Sequence, residues 1–375
     1  MKNLFLFIIL EFCINSLVFA QDTVIKDPNL VAPFKLCFTN DGPDSWPTVP
    51  LGRNKVVFIK PDQPLPLCLT QNLSITDYKN LTAFEKDFFV AVSMWQSYFK
   101  SFNPVNIKVV VDNSKPRFSG GSMHGASKFL ETTSNKKVMV IYPSSLSTML
   151  GDNPSHLDYD IQVTIKPLRS ATYNQSKHCY DDNPTGKRSC NPQIGHDLTS
   201  VITHELGHGY GIASNRVRKE QSNYGGFFKN QMLAFDFQTN NDSQHPALLN
   251  NYGSYFIEGA HPIFFTGKST VAYLNRQNLP SYLPICNLAK SDHNRSQNFS
   301  HFCNIDCSRP ASASNIQDLM GGQWCLWTPQ SQTRLNISSL DLHILYDIGY
   351  APILKTTTAD PDLRNNLFNP KSVSH

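Results

Sequence analysis

His204, Glu205 and His208 stand together in the stretch THELGHGYGIAS, residues 203–214. Residues four apart on a helix share a face, so the two imidazoles can converge on a single cation. Glu205, next to His204, can then reach a water bound to that cation. Zn2+ lowers the pKa of such a water towards neutrality, and a carboxylate can take its proton as it attacks a carbonyl. The chemistry this suits is hydrolysis of a peptide bond, with the metal polarising the carbonyl and Glu205 as general base.

Two imidazoles do not complete such a centre, because a catalytic zinc normally takes three protein ligands and keeps one open position for water. Gly211 follows His208 by three residues, and Ser214 by six. A third histidine would continue the pattern at that last position, and the neutral hydroxyl of Ser214 is a poor substitute. Glu220 and Glu258 could serve if a second helix supplied a glutamate. Asp236, His261, His293 and His301 are the other candidates, and residue type alone does not choose among them.

Elements must hold these groups in place. The stretch 196–208 predicts the helix that carries the histidines. Leu198, Val201, Ile202 and Leu206 cover so wide an arc of it that it must be buried. A second helix is predicted over 82–99: Thr82 and Glu85 have capping-box spacing, and Phe84, Phe88, Val92, Trp95 and Phe99 recur on one face as core. Alternation predicts strands at 105–111, 137–142 and 159–165, with a short helix, SSLSTML, between the last two. Asp158 and Asp160 read as a solvated loop rather than a calcium site. A last helix is predicted over 338–349, capped by Ser338 or Ser339 and ended by Gly349. Residues 21–80, rich in proline, hold one expected strand at KVVFIK and form either a propeptide or the start of the domain. Residues 353–375 read as a disordered tail.

The chain as a whole points outside the cell. Its 375 residues, 40% hydrophobic, can build an ample core, and the formal charge of +4 is scattered. No nucleic-acid or membrane-surface partner follows from such a charge. Residues 1–20 have the short positive start, apolar run and small-residue end of a signal peptide. No later segment is long and apolar enough to span a bilayer. Without Cys13, eight cysteines remain: Cys37, Cys68, Cys179, Cys190, Cys286, Cys303, Cys307 and Cys325. An even set in an oxidising compartment suggests disulfides, with Cys179–Cys190 and Cys303–Cys307 as the expected near pairs. Asn72, Asn80, Asn174, Asn241, Asn294, Asn298 and Asn336 each begin a glycosylation sequon. A secreted, disulfide-bonded glycoprotein is the expectation.

HExxHGxGI, a later Ser-His at 300–301, then DLM at 318–320 and a terminal helix ending in DIGY together resemble the leishmanolysin branch of the metzincin zinc proteases. The likeness covers roughly residues 80 to 352. It implies an α+β fold. An upper subdomain over 81–212 would carry a twisted mixed sheet and two long helices, ending in the zinc helix. A cleft would divide it from an irregular, disulfide-bonded lower subdomain over 213–352. In that branch an insertion displaces the third histidine far downstream, just before a methionine turn beneath the metal. Carried onto this chain, His301 matches the third ligand, Met320 the methionine of the turn, Glu205 the general base and Gly211 the sharp turn below the site. The gap from His301 to Met320 is longer than in that branch, so His293 and His261 stay open. Cys37 or Cys68 could cap the metal in a latent form, though a disulfide suits each better.

The resemblance implies a secreted zinc endopeptidase acting on proteins or peptides. The alternative is a glycoprotein of the same fold with a dead site, acting as a binding or adhesion module. Loss of Glu205 or of a motif histidine would mark that alternative, and all three are present.

Overall fold

The computed structural model describes residues 31–39, 49–51, 54–56, 67–101, 103–111, 119–122, 124–131, 137–151, 159–165, 172–174, 179–181, 196–214, 216–217, 226–227, 232–240, 263–278, 281, 283–285, 300–302, 319–320 and 337–351. In the first half lie β1 (Phe34–Thr39), β2 (Leu67–Thr70), α1 (Ile75–Asn80), α2 (Ala83–Gln96), β3 (Val105–Val111), β4 (Ser119–Ser122), β5 (His124–Glu131), β6 (Lys137–Pro143), α3 (Ser144–Met149), β7 (Ile161–Ile165) and α4 (Leu198–Gly209). The second half supplies β8 (Met232–Leu233), α5 (Ala234–Phe237), β9 (Ile263–Phe265), α6 (Lys268–Arg276), β10 (Leu283–Ile285) and α7 (Ser339–Ile348).

Five strands form the central sheet in the order β2-β1-β3-β7-β4. β1, β3 and β7 are parallel, in a register that sets Phe34 opposite Val105 and Ile107 opposite Ile161. β2 and β4 close the two sides antiparallel. Alternation makes β1 amphipathic: Phe34, Leu36 and Phe38 are buried, whereas Lys35 is exposed. The buried rings meet α2, with Phe34 5.6 Å from Phe89 and Phe38 5.7 Å from Phe88. So the N-terminal segment is woven into the sheet well before residue 81, and a removable propeptide cannot extend into β1 without taking a central strand away. Cys37 and Cys68 lie opposite each other on β1 and β2 and form a disulfide. That bond occupies both sulfurs, so neither can cap a metal.

α2 starts where its cap dictates. Glu85 N donates to Thr82 Oγ1 at 3.3 Å, and Thr82 N donates to Glu85 Oε2 at 2.6 Å. The helix then lies against α4. Trp95 Nε1 donates to Thr203 O at 2.8 Å, and Thr199 Oγ1 donates to Asp87 Oδ1 at 2.9 Å. α4 approaches the sheet so closely at Gly209 that a Cβ there would lie 2.4 Å from Ile161 Cγ2. The helix bearing His204 and His208 is therefore fixed from two sides.

Asp160 differs from the reading as a solvated loop. It is buried, and it accepts hydrogen bonds from Asn106 N at 2.8 Å, Ser144 Oγ at 2.8 Å and Thr148 Oγ1 at 2.6 Å. With its carboxylate spent on these donors, it ties α3 to the start of β3 and β7. Asp158 lies outside the described residues.

Near the C-terminal end of the described residues, α7 plays a similar tying role. Ser338 and Asp341 make its capping box, and Gly349, at φ 121, ends it. Asp347 accepts from Ser269 N and Thr270 N, both at 2.8 Å, so α7 caps the first turn of α6. Past Gly349, the Tyr350 and Ser145 hydroxyls pair at 2.7 Å, returning the chain to α3. Among the described residues no helix is long and apolar enough to cross a membrane. Residues 1–20 and 353–375 lie outside the description, as does at least one partner in each of the pairings Cys179–Cys190 and Cys303–Cys307.

Candidate metal centre

The end of α4 shapes half of the site. Gly211 N donates to His208 O at 3.0 Å, and Ile212 N donates to Gly207 O at 3.1 Å. This is the Schellman pattern, which needs a left-handed residue at its turn. Gly211, at φ 107, supplies it, and a Cβ there would also meet Pro143 Cγ at 2.4 Å. The turn brings Ile212 O back under the helix, where it lies 2.7 Å from His208 Nδ1. A carbonyl only accepts, so Nδ1 carries the hydrogen and the neutral ring presents a bare Nε2. His204 is set the same way, its Nδ1 2.6 Å from Leu319 O.

A third imidazole meets these two from a segment nearly a hundred residues away. His301 Nε2 lies 3.0 Å from His204 Nε2 and 3.2 Å from His208 Nε2. The next residue anchors the segment: Phe302 N donates to Met320 O at 3.1 Å, Phe302 bridges to Ile285 on β10, and its buried ring faces Phe235 at 6.2 Å. Met320 is buried beneath α4. A Cβ added to Gly207, between the two helix histidines, would lie 2.5 Å from Met320 Sδ. The Leu319–Met320 pair thus orients His204 through one carbonyl, holds the His301 segment through the next, and packs its side chain against the histidine-bearing helix.

These residues fit a zinc ion. Zn–N bonds of 2.0–2.1 Å in a tetrahedron separate the nitrogens by about 3.3 Å. The separations of 3.0 and 3.2 Å from His301 Nε2 are close to that, and one ligand nitrogen from each ring lies within 4.8 Å of the others. Burial lowers the pKa of both helix histidines, and the neighbouring His204 charge adds to the effect at His208, which is pushed down to about 3. The rings are therefore neutral, as ligands must be. Two bare Nε2 atoms facing a third ring nitrogen repel one another, and a single N–H on His301 satisfies only one of them well. A cation between the three satisfies all. Both helix rings also have the carbonyl partner that holds a metal-bound imidazole in one tautomer.

Glu205 follows His204 on the same helix and is partly exposed, in contrast to the buried Leu206 and Gly207 after it. Asp236, a candidate third ligand, is not one: it is buried and accepts a hydrogen bond from Ser214 Oγ at 2.6 Å. Ser214 is not a ligand either, since its hydroxyl is directed to that carboxylate. Glu220, Glu258, His261 and His293 lie outside the described residues. Of the sequon asparagines, Asn72 and Asn80 are exposed, Asn174 lies in the strand Thr172–Asn174, and Asn241, Asn294, Asn298 and Asn336 are outside the description. The carbonyls of Leu319 and Ile212 were missed by residue-type reasoning, because a backbone group leaves no letter of its own. The only trace of Ile212 was its place four residues after His208, just beyond a glycine.

Comparison with known proteins returned no match: no family model, no curated protein and no solved structure aligns significantly with the chain.

Proposed function

We propose that this chain is a zinc endopeptidase of metzincin type that acts outside the cell on proteins or peptides. One observation carries the reading: His301 Nε2 lies 3.0 and 3.2 Å from the Nε2 atoms of His204 and His208, on the helix that also bears Glu205, with one ligand nitrogen of each ring within 4.8 Å of the others. A zinc ion held there supplies a water of near-neutral pKa and an electrophile for the scissile carbonyl.

The chain's own residues do the rest. The carbonyls of Leu319 and Ile212 hold His204 and His208 in the tautomer that leaves Nε2 unprotonated. Met320 packs closely against Gly207, so the helix bears directly on the turn that holds the His301 segment. Glu205 takes a proton from the attacking water and passes it to the departing amine, the work of a general base and then a general acid. β4, one of the two outer strands of the central sheet among the described residues, packs alongside α4. An extended peptide can add to such an edge by main-chain hydrogen bonds.

The test is Glu205→Ala in the purified full chain, assayed on an unfolded protein substrate. Zinc content stays at one per chain while cleavage falls by a factor of about 10²–10⁴. Equal cleavage by the two proteins, each loaded with zinc, defeats the protease reading and leaves a metal-binding module.

A further inference from the structure

Ser214 occupies the position at which the HExxHxxG spacing would place a third histidine, and its contacts give it another task. Ser214 N donates to Ser300 Oγ at 3.1 Å, and Ser214 Oγ donates to Asp236 Oδ1 at 2.6 Å. Ser300 immediately precedes His301. Asp236 is buried in α5, where Thr239 Oγ1 donates to its carbonyl at 2.7 Å. α5 follows β8, which pairs with β6. A polar chain therefore runs from α5 through Ser214, at the end of the zinc-helix turn, to the residue beside the third imidazole.

We propose that Ser214, braced by Asp236 and joined to Ser300, is a positioning residue for the metal centre and sets where His301 meets His204 and His208. The inference rests on the zinc reading above. His301 reaches the site on a long excursion, and its two neighbours are its visible tethers. Phe302 is held by apolar packing and by Met320 O, which fixes depth. Ser300 is held only through Ser214 among its described contacts, and that bond sets the lateral position of the segment relative to His208. The brace matters because Ser214 is itself at a loop, and a buried carboxylate on a helix gives its hydroxyl a fixed acceptor.

The experiment compares the wild-type full chain with Ser300→Ala, Ser214→Ala and the conservative Ser214→Thr and Ser300→Thr. Three quantities are read: zinc affinity by competition with a chromophoric chelator, the visible absorption of the Co2+-substituted protein, and melting of the metal-free form. Ser300→Ala and Ser214→Ala are expected to weaken zinc binding about tenfold to a hundredfold, the range seen when outer-shell partners are removed. Both should shift the cobalt bands, which a residue with a merely structural role would leave alone. The threonine variants, which keep the hydroxyl, should stay near wild type, and the metal-free melting of Ser300→Ala should be unchanged. If Ser214→Ala unfolds because Asp236 has lost its donor, Ser300→Ala decides alone. Wild-type affinity and an unshifted cobalt spectrum in Ser300→Ala overturn the proposal while the zinc reading stands. A wild-type chain that binds no zinc overturns both.

Discussion

Two regions deliver imidazoles to one point, by different physics. His204 and His208 come from a helix whose spacing alone puts them on one face, and α4 is clamped between α2 and the sheet by Trp95, Thr199 and the close approach at Gly209. His301 comes from a described segment of three residues, Ser300–Phe302, that is not helical. It depends on Ser300, Phe302 and the Leu319–Met320 turn, each tied to a different part of the fold. The helix side is locally determined and stiff. The loop side is exact only while several distant contacts hold together. This division suits the proposed hydrolytic centre, in which two ligands and the proposed base share one rigid element and the third ligand closes the site.

The contrast can be broken from the loop side first. Phe302 is buried against Phe235, so Phe302→Ala should cost about 3–5 kcal/mol of stability. It should also lower zinc affinity, because the neighbouring His301 loses its depth anchor. Denaturant unfolding and chelator competition measure the two effects. Unchanged zinc affinity in a destabilised protein would show that the loop side is held elsewhere.

On the helix side, Gly211→Ala places a side chain at φ 107 and against Pro143. The expected loss is about 1–3 kcal/mol, read as a lower unfolding midpoint. The Ile212 carbonyl should shift with it, so the environment of His208 should change more than that of His301. Side-chain NMR of the imidazoles separates the two, and a larger change at His301 would contradict the division.

A further test on the helix side is the pH dependence of the metal-free chain. His208 has a native pKa near 3 against 6.5 for the unfolded residue. Between those values the unfolded chain takes up a proton that the folded site refuses. Stability is therefore present above about pH 6.5 and declines as the pH falls towards 3, by about 1.4 kcal/mol per pH unit for one such histidine. Acid unfolding with and without His208→Gln measures the slope, and an equal slope in the two would remove His208 as its source.

What could be read in advance follows the same division. The capping box at Thr82, the apolar faces of α2 and α4, the alternation of β3 and β7, and the helix-borne histidines are encoded within a few residues of one another, so local spacing revealed them. The glycine after His208 was visible as a turn, and its Schellman geometry shows why the turn is needed. Contacts that join distant parts were not legible in this way. Asp160 reads as a solvated loop residue because its donors, on Asn106, Ser144 and Thr148, come from elsewhere in the chain. β1 was not recognised as a central strand, because the proline-rich stretch around it hid a short alternating run. Resemblance singles out His301, whereas no local pattern distinguishes it from His293 and His261. The roles of Ser214 and Asp236 were invisible because each depends on the other's position.

Three imidazoles from two unlike regions are proposed to make one zinc site. Equilibrium zinc binding to the purified full chain, beside His301→Ala, tests it most directly. One zinc per wild-type chain and loss of tight binding in the variant are expected, with both proteins folded. No zinc in the wild type, or equal binding by the two, would contradict that proposal.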